Sequence, residues 1–168
     1  RLSGQELHRC YFCQKCSAGC PTAHVMDYPP ARLIKMIQLG RREAVLSSLA
    51  IWLCVGCETC ATRCPNEIAV APVMDALKQL ALAEDRTAAG RKSLAFHRAF
   101  VDSIRLFGRV HEITMLAEYK LRSRDLLSDL DLGLQMFLRN KLALRPERVD
   151  AVGDVRRLLA AFQREEER

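Results

Sequence analysis

The sequence predicts an all-α fold, and three observations carry that prediction. The 33 residues from 21 to 53 nowhere alternate apolar and polar side chains with the period of two that a half-buried strand needs. Prolines stand at Pro29, Pro30 and Pro72, where apolar helical spacing begins, and proline suits the first turn of a helix. From residue 93 onward, apolar side chains recur at helical spacing in successive segments.

All eight cysteines fall into two copies of one pattern, C-x2-C-x2-C-x3-C-P. The first runs from Cys10 to Pro21 and the second from Cys54 to Pro65. This is the run that bacterial-type two-cluster iron–sulfur proteins use, in which the fourth cysteine serves the other run's cluster. Three thiolates at i, i+3 and i+6 on a looping backbone can reach three corners of one [4Fe–4S] cube. The residue before a proline is pushed into an extended conformation, so Cys20 and Cys64 are set to reach across. The expected ligand sets are Cys10, Cys13, Cys16 and Cys64 for one [4Fe–4S] cluster, and Cys54, Cys57, Cys60 and Cys20 for the other. Structural zinc also uses four cysteines, but typically as separated C-x2-C pairs. A disulfide framework needs an oxidising compartment. No secretory segment opens the chain, and half of its cysteines would be poorly placed to pair. Ser17, Ala18, Gly19, Gly56 and Ala61 are small enough to leave room for cluster sulfides, and Tyr11 and Phe12 can shield a cluster from water.

In chain order, the segment up to Arg9 is a lead-in, with His8 expected at the surface. A helix opens at Pro29-Pro30, carries Leu33, Ile34 and Ile37, and stops at Gly40. Glu43 to Leu46 reads as a second helix. Ser47 or Ser48 is placed to cap a third, which runs through Trp52 into Cys54. After the second run, Pro72 opens a helix with Val73, Leu77, Leu80 and Ala81 on its apolar face. Ligand run followed by proline-opened helix thus occurs twice, which implies an internal duplication about a pseudo-two-fold axis. These features predict the all-helical version of the two-cluster ferredoxin fold over residues 1–84, since a minimal ferredoxin joins its halves with β-hairpins.

Residues 85–168 form an expected helical extension. Asp85 to Lys92 reads as a loop containing Gly90. A helix from Ser93 to Phe107 would bury Leu94, Phe96, Phe100, Val101, Ile104 and Phe107, with Gly108 as a break. Val110, Ile113, Met115, Leu116 and Tyr119 mark the next segment, and Leu126 to Leu138 another, with Leu127, Leu130, Leu134, Phe137 and Leu138. Pro146 closes that region. Asp150 to Phe162 reads as a last helix with Val152, Val155, Leu158, Leu159 and Phe162, followed by a charged tail from Arg164. His97 and His111 lack a second ligand at helical spacing and read as packing or interface residues. With two clusters and no catalytic residue of its own, the chain has to pass electrons to a partner, so part of this extension is expected to dock one.

The formal charge is +6, from 26 Lys and Arg against 20 Asp and Glu. Two oxidised clusters with their thiolates, each about −2, would bring the total to roughly +2. Basic residues are scattered and aromatics are only 6% of the chain, which argues against nucleic-acid binding. The longest apolar stretch, Ala44 to Val55, is broken by Ser47 and Ser48 and is too short to span a bilayer. Iron–sulfur chemistry and free thiolates suit the cytoplasm, with any membrane attachment peripheral and through partners.

The chain resembles HdrC, the small iron–sulfur protein of heterodisulfide reductase, including its counterparts in bacterial sulfur-oxidising complexes. Beyond the two cysteine runs, the resemblance rests on Asp27-Tyr28-Pro29-Pro30, Ile51-Trp52-Leu53 before Cys54, Pro65-Asn66, Phe100-Val101-Asp102-Ser103-Ile104, Phe107-Gly108-Arg109-Val110-His111-Glu112, and Asn140-Lys141-Leu142 to Pro146. It implies an electron-transfer member of a hetero-oligomer. Such a protein relays electrons between an HdrA-like flavin and iron–sulfur protein and an HdrB-like protein with Cys-Cys-Gly motifs, where the disulfide is handled. This chain has no Cys-Cys-Gly, no Gly-x-Gly-x-x-Gly flavin fingerprint and no nucleophile–base pair. The competing reading is the iron–sulfur component of a quinone-linked dehydrogenase of the succinate, glycerol-3-phosphate or glycolate type.

Overall fold

The computed structural model describes residues 2–125, 128, 130–139 and 145–166. The described residues are helical, with no strand among them. The chain divides into two compact units, Arg1–Ser93 and Leu94–Arg168.

In the first unit, 3-10 turns at Leu7–Arg9 and Ala23–Val25 alternate with six helices: α1 (Lys15–Ala18), α2 (Pro30–Gln38), α3 (Arg42–Leu46), α4 (Ala50–Leu53), α5 (Thr59–Thr62) and α6 (Val70–Ala83). Pro30 occupies the first turn of α2. The helix ends as the sequence predicts, with Gly40 at φ +68° and the Arg41 N–H reaching back to the Met36 carbonyl at 3.0 Å. The core is made by Leu33 and Ile34 of α2, Val45 and Leu46 of α3, Ile51 and Trp52 of α4, and Val73, Met74 and Leu77 of α6. α3, α4 and α5 all pack against α6, and α1 packs against both α2 and α5. The short helices therefore lie on a frame set by the two longer ones. α6 begins at Val70, two residues ahead of the expected Pro72. Proline without its N–H is tolerated there because the first-turn N–H groups have no intrahelical acceptor.

The expected serine cap on α4 is only part of the arrangement. Ser48 Oγ does accept the Ala50 N–H at 3.1 Å. Asp27, more than twenty residues earlier, contributes more. Its carboxylate accepts from Ser48 Oγ at 2.8 Å, from the Leu49 N–H at 3.0 Å and from the Ala50 N–H at 2.9 Å. Partial burial alone would raise the Asp27 pKa. The bonds from Ser48, Leu49, Ala50 and Tyr28 outweigh it and hold the carboxyl below its ordinary value. This cap fixes the turn that delivers the chain into Cys54. At the far side of α4, the Trp52 ring lies against the Gly90 backbone, where an added Cβ would sit 2.1 Å from the ring.

The second unit contains most of α7 (Arg91–Phe107), then α8 (Glu112–Ser123), α9 (Leu130–Leu138) and α10 (Val152–Glu166). The expected apolar stripe on α7 is corrected: Phe96 and Phe100 are exposed, and the buried line is Ala95, Ala99 and Ser103. These small residues stand at i, i+4 and i+8, so they share one face, and small side chains allow close approach there. Ser103 Oγ accepts the His111 N–H at 2.9 Å. His111 is buried and caps α8, its ring accepting the Thr114 N–H. After Gly108, at φ +79°, the chain returns so that the Val149 N–H donates to the Phe107 carbonyl at 3.0 Å. Arg156 Nε donates to the Arg105 carbonyl at 2.6 Å, which satisfies a carbonyl at the end of α7. On α10, which matches the last helix expected from the sequence, Leu158 and Phe162 are exposed. The expected roles of Leu126, Leu127 and Asn140 to Leu142 lie outside the described residues.

Candidate metal centre

Both cysteine runs fold the same way, and the repeat is visible in the backbone. Cys10 has φ −73° and ψ 117°, and Cys54 has φ −68° and ψ 118°. Two residues later, Phe12 and Gly56 both take the left-handed conformation, at φ +64° and +63°. Two residues later again, Gln14 and Glu58 do so too, at φ +63° and +57°. One-turn helices follow in register, α1 after Gln14 and α5 after Glu58. Left-handed residues alternating with the cysteines coil the chain around a centre and turn N–H groups inward, a concavity suited to negative charge. Three of these four positions carry side chains, at a cost of about 1–2 kcal/mol each. Strain of this kind concentrates at functional sites.

Where the runs meet, Gly19 and Arg63 occupy matching positions and touch. A Cβ on Gly19 would lie 2.7 Å from the Arg63 Cδ. The run entrances and exits are also tied to each other. Gln38 Nε2 donates to the carbonyls of Leu7 at 2.8 Å and Cys10 at 3.0 Å. Gln5 Oε1 accepts the Ala69 N–H at 2.9 Å, and Asn66 Nδ2 donates to the Arg9 carbonyl.

All eight cysteines are free thiols. Cys13 and Cys57 are exposed and the other six are half-buried. One cavity is lined by Cys20 together with Cys54, Cys57 and Cys60, and by Pro21, Pro30, Gly56 and the first residues of α6. Its empty space is about 370 Å³, mouth included. On the other side, Tyr11 neighbours Cys13, Cys64 and Cys10. Its hydroxyl pKa is raised by packing against the run first, and then by the negative thiolates of those three residues. Cys16 and Cys60 neighbour each other across the repeat. Burial pushes both thiols up, opposed by the backbone N–H of Ser17 at Cys16 and by those of Val70 and Ala61 at Cys60. Cys57 is pushed down, first by the hydroxyl of Thr59 and then by its N–H.

The donor set fits an iron–sulfur cube. Four thiols spread around a cavity match a group with four iron corners, each taking one thiolate. Among the described residues, no three His, Cys, Asp or Glu side chains close on the point that a single ion would occupy.

Residues 6–68 match the family model described as a 4Fe-4S dicluster domain. The chain is 37% identical over 78 residues to the HdrC protein of the ferredoxin:CoB-CoM heterodisulfide reductase of Methanosarcina acetivorans, which covers 46% of this chain and 31% of that protein. Over about half of its length the chain is similar to HdrC proteins of heterodisulfide reductases. It is also 29% identical over 90 residues to the HdrC iron–sulfur protein of the CoB–CoM heterodisulfide reductase of Methanopyrus kandleri, covering 54% of this chain and 47% of that protein. The second HdrC iron–sulfur protein of Methanocaldococcus jannaschii is 26% identical over 110 residues, covering 65% of this chain and 59% of that protein. The chain thus spans less than two thirds of the length of these relatives. Two [4Fe–4S] clusters are the cofactors of such a domain, and its fold is the helical one expected from the sequence.

Sequence reasoning located all eight thiols but missed several of the residues around them. Ser17, taken as a spacer for cluster sulfide, accepts the Ala31 N–H at 2.9 Å and so caps α2. Thr22 Oγ1 lies 3.5 Å from Cys20 Sγ, and Thr59 Oγ1 lies 3.5 Å from Cys57 Sγ. A hydroxyl two residues after a ligand cysteine was the available signal for both. His8 and His97 are exposed. No helix among the described residues is long and apolar enough to cross a membrane.

Proposed function

We propose that this chain is the electron-relay component of a heterodisulfide reductase-type complex, with its eight cysteines ligating in crossed sets. Cys10, Cys13 and Cys16 hold one cluster with Cys64, and Cys54, Cys57 and Cys60 hold the other with Cys20. The observation that carries the reading is the cavity that Cys20 shares with the three cysteines of the opposite run. Tyr11, beside Cys10, Cys13 and Cys64, supports the converse arrangement. Each bound cluster supplies one-electron oxidation and reduction. The residues around it hold the thiolates in place, turn N–H groups inward, and keep the two sites adjoining at Cys16 and Cys60. Adjoining sites make a short electron path.

The relatives are named as parts of larger reductases, and this chain carries no Cys-Cys-Gly of its own. Its partners in this reading are an HdrA-like flavoprotein and an HdrB-like Cys-Cys-Gly protein, with residues 85–168 supplying a docking surface in a cytoplasmic complex. The outward Leu158 and Phe162 of α10 support that role, because large apolar side chains exposed together mark contact sites. Leu158→Glu with Phe162→Glu in the full chain should leave roughly eight irons per chain and abolish co-purification with those two partners. Retention of both partners at wild-type stoichiometry would refute the docking assignment.

A further inference from the structure

The two cluster sites repeat in backbone but not in the groups that hydrogen-bond their sulfurs. Thr22 Oγ1 is 3.5 Å from Cys20 Sγ, and Thr59 Oγ1 is 3.5 Å from Cys57 Sγ. Once these sulfurs are thiolates they have no proton to give, so each hydroxyl becomes the donor. In the repeat, Thr22 corresponds to Asn66 and Thr59 to Lys15. Asn66 is turned away, its amide donating to the Arg9 carbonyl. Under the crossed ligation proposed above, on which this inference rests, both threonines serve the same cluster.

The backbone around the two runs differs as well: the second run has Ala61 where the first has Ser17, whose Oγ accepts the Ala31 N–H of α2 at 2.9 Å. The first site has one hydroxyl of its own, Tyr11 next to Cys13, against two at the second site, Thr22 and Thr59; Tyr11 and the Thr59–Cys57 pair are both exposed, and the Thr22–Cys20 pair is half-buried. The exposed charges of Lys15 and Glu58 act in the opposite sense and are screened by solvent.

Reduction adds one negative charge to a cluster, and that charge spreads onto its sulfurs. Donors aimed at the sulfurs favour the reduced form and raise the potential. We infer that Thr22 and Thr59 are positioning residues that make the cluster of Cys54, Cys57, Cys60 and Cys20 the higher-potential site. A protein given one electron by dithionite then holds it there, with the cluster of the first run still oxidised.

The test is an EPR-monitored redox titration of the full chain, anaerobically reconstituted, comparing wild type with Thr22→Val, Thr59→Val and the double variant. Valine keeps the shape of threonine and removes the hydroxyl. The cluster missing in Cys60→Ser identifies the second-site signal. The wild type should reduce that signal first. At a fixed poise, the double variant should show about a tenfold fall in its ratio of reduced to oxidised form, about 59 mV for a one-electron couple. The first-site signal should stay in place, and Thr22→Ser with Thr59→Ser should restore the wild-type value. An unmoved second-site potential in the double variant, or a wild type that reduces the first site first, would overturn the inference. If Thr22→Val moves the first-site signal while Thr59→Val moves the second, the crossed ligation itself fails. Valine variants with unmoved potentials, while Cys20→Ser still removes the second-site signal, would leave the crossing standing and the inference refuted.

Discussion

Asp27→Asn should weaken the entry to the second cysteine run. In the native chain one carboxylate accepts from Ser48 Oγ, from the Leu49 and Ala50 N–H groups that open α4, and from the Tyr28 N–H at 2.9 Å. The amide keeps one acceptor oxygen. Its NH2 must then face either the Leu49 N–H or the Ser48 and Ala50 donors, so at least one bond is lost and the rest lose their charge assistance. A helix cap is worth about 0.5–2 kcal/mol. Bonds to a charged acceptor are worth about 1.5–3 kcal/mol, and the exposure of Asp27 places this site at the lower end. The expected loss is about 1–2 kcal/mol, read by urea unfolding of the cluster-loaded protein. Because α4 ends at Leu53, iron should also leave the Cys54 site faster when a chelator is added. The carboxyl is held below its unfolded value, so its contribution is fully present above about pH 4 and is lost only as pH falls through the lowered value. The difference between wild type and Asp27→Asn should therefore be constant from about pH 8 to pH 5. Equal stability at pH 7, or a difference that varies across that neutral range, would refute the capping argument.

Two glycines should respond in opposite degree to alanine. Gly90→Ala drives a methyl into the rigid Trp52 ring and should cost about 1–3 kcal/mol by thermal unfolding. Gly19→Ala meets only the flexible, exposed Arg63 side chain and should cost less than about 1 kcal/mol. Gly56→Ala has open space around the added carbon but sits at φ +63°. It should cost about 1–2 kcal/mol through backbone conformation alone, measured as reduced stability of the loaded protein.

The two matching cysteine runs and the longer helices were legible in the sequence because their signals are local. Cysteine spacing, Pro30 at a helix start and Gly40 at a helix stop each act within a few residues. The Asp27 cap was not legible, because its partners at Ser48, Leu49 and Ala50 are brought near only by the packing of the helices between them. The left-handed turns at Gln14 and Glu58 were hidden because neither residue is glycine. On α7, reading the large apolar residues as the buried ones failed because the packed face is built from Ala95, Ala99 and Ser103. Burial there rewards close approach more than side-chain area, which leaves Phe96 and Phe100 outside. The inequality of the two sites depends on Thr22 and Thr59, each two residues after a cysteine, a signal that the spacing of the cysteines alone does not carry.

In the proposed ligation each run lends its last thiolate to the other run's cluster. Mössbauer and EPR spectra of Cys20→Ser and Cys64→Ser, beside Cys54→Ser and Cys10→Ser, test it most directly. Crossed ligation predicts that Cys20→Ser perturbs the same cluster as Cys54→Ser, and Cys64→Ser the same cluster as Cys10→Ser. Spectra in which Cys20→Ser matches Cys10→Ser would contradict it.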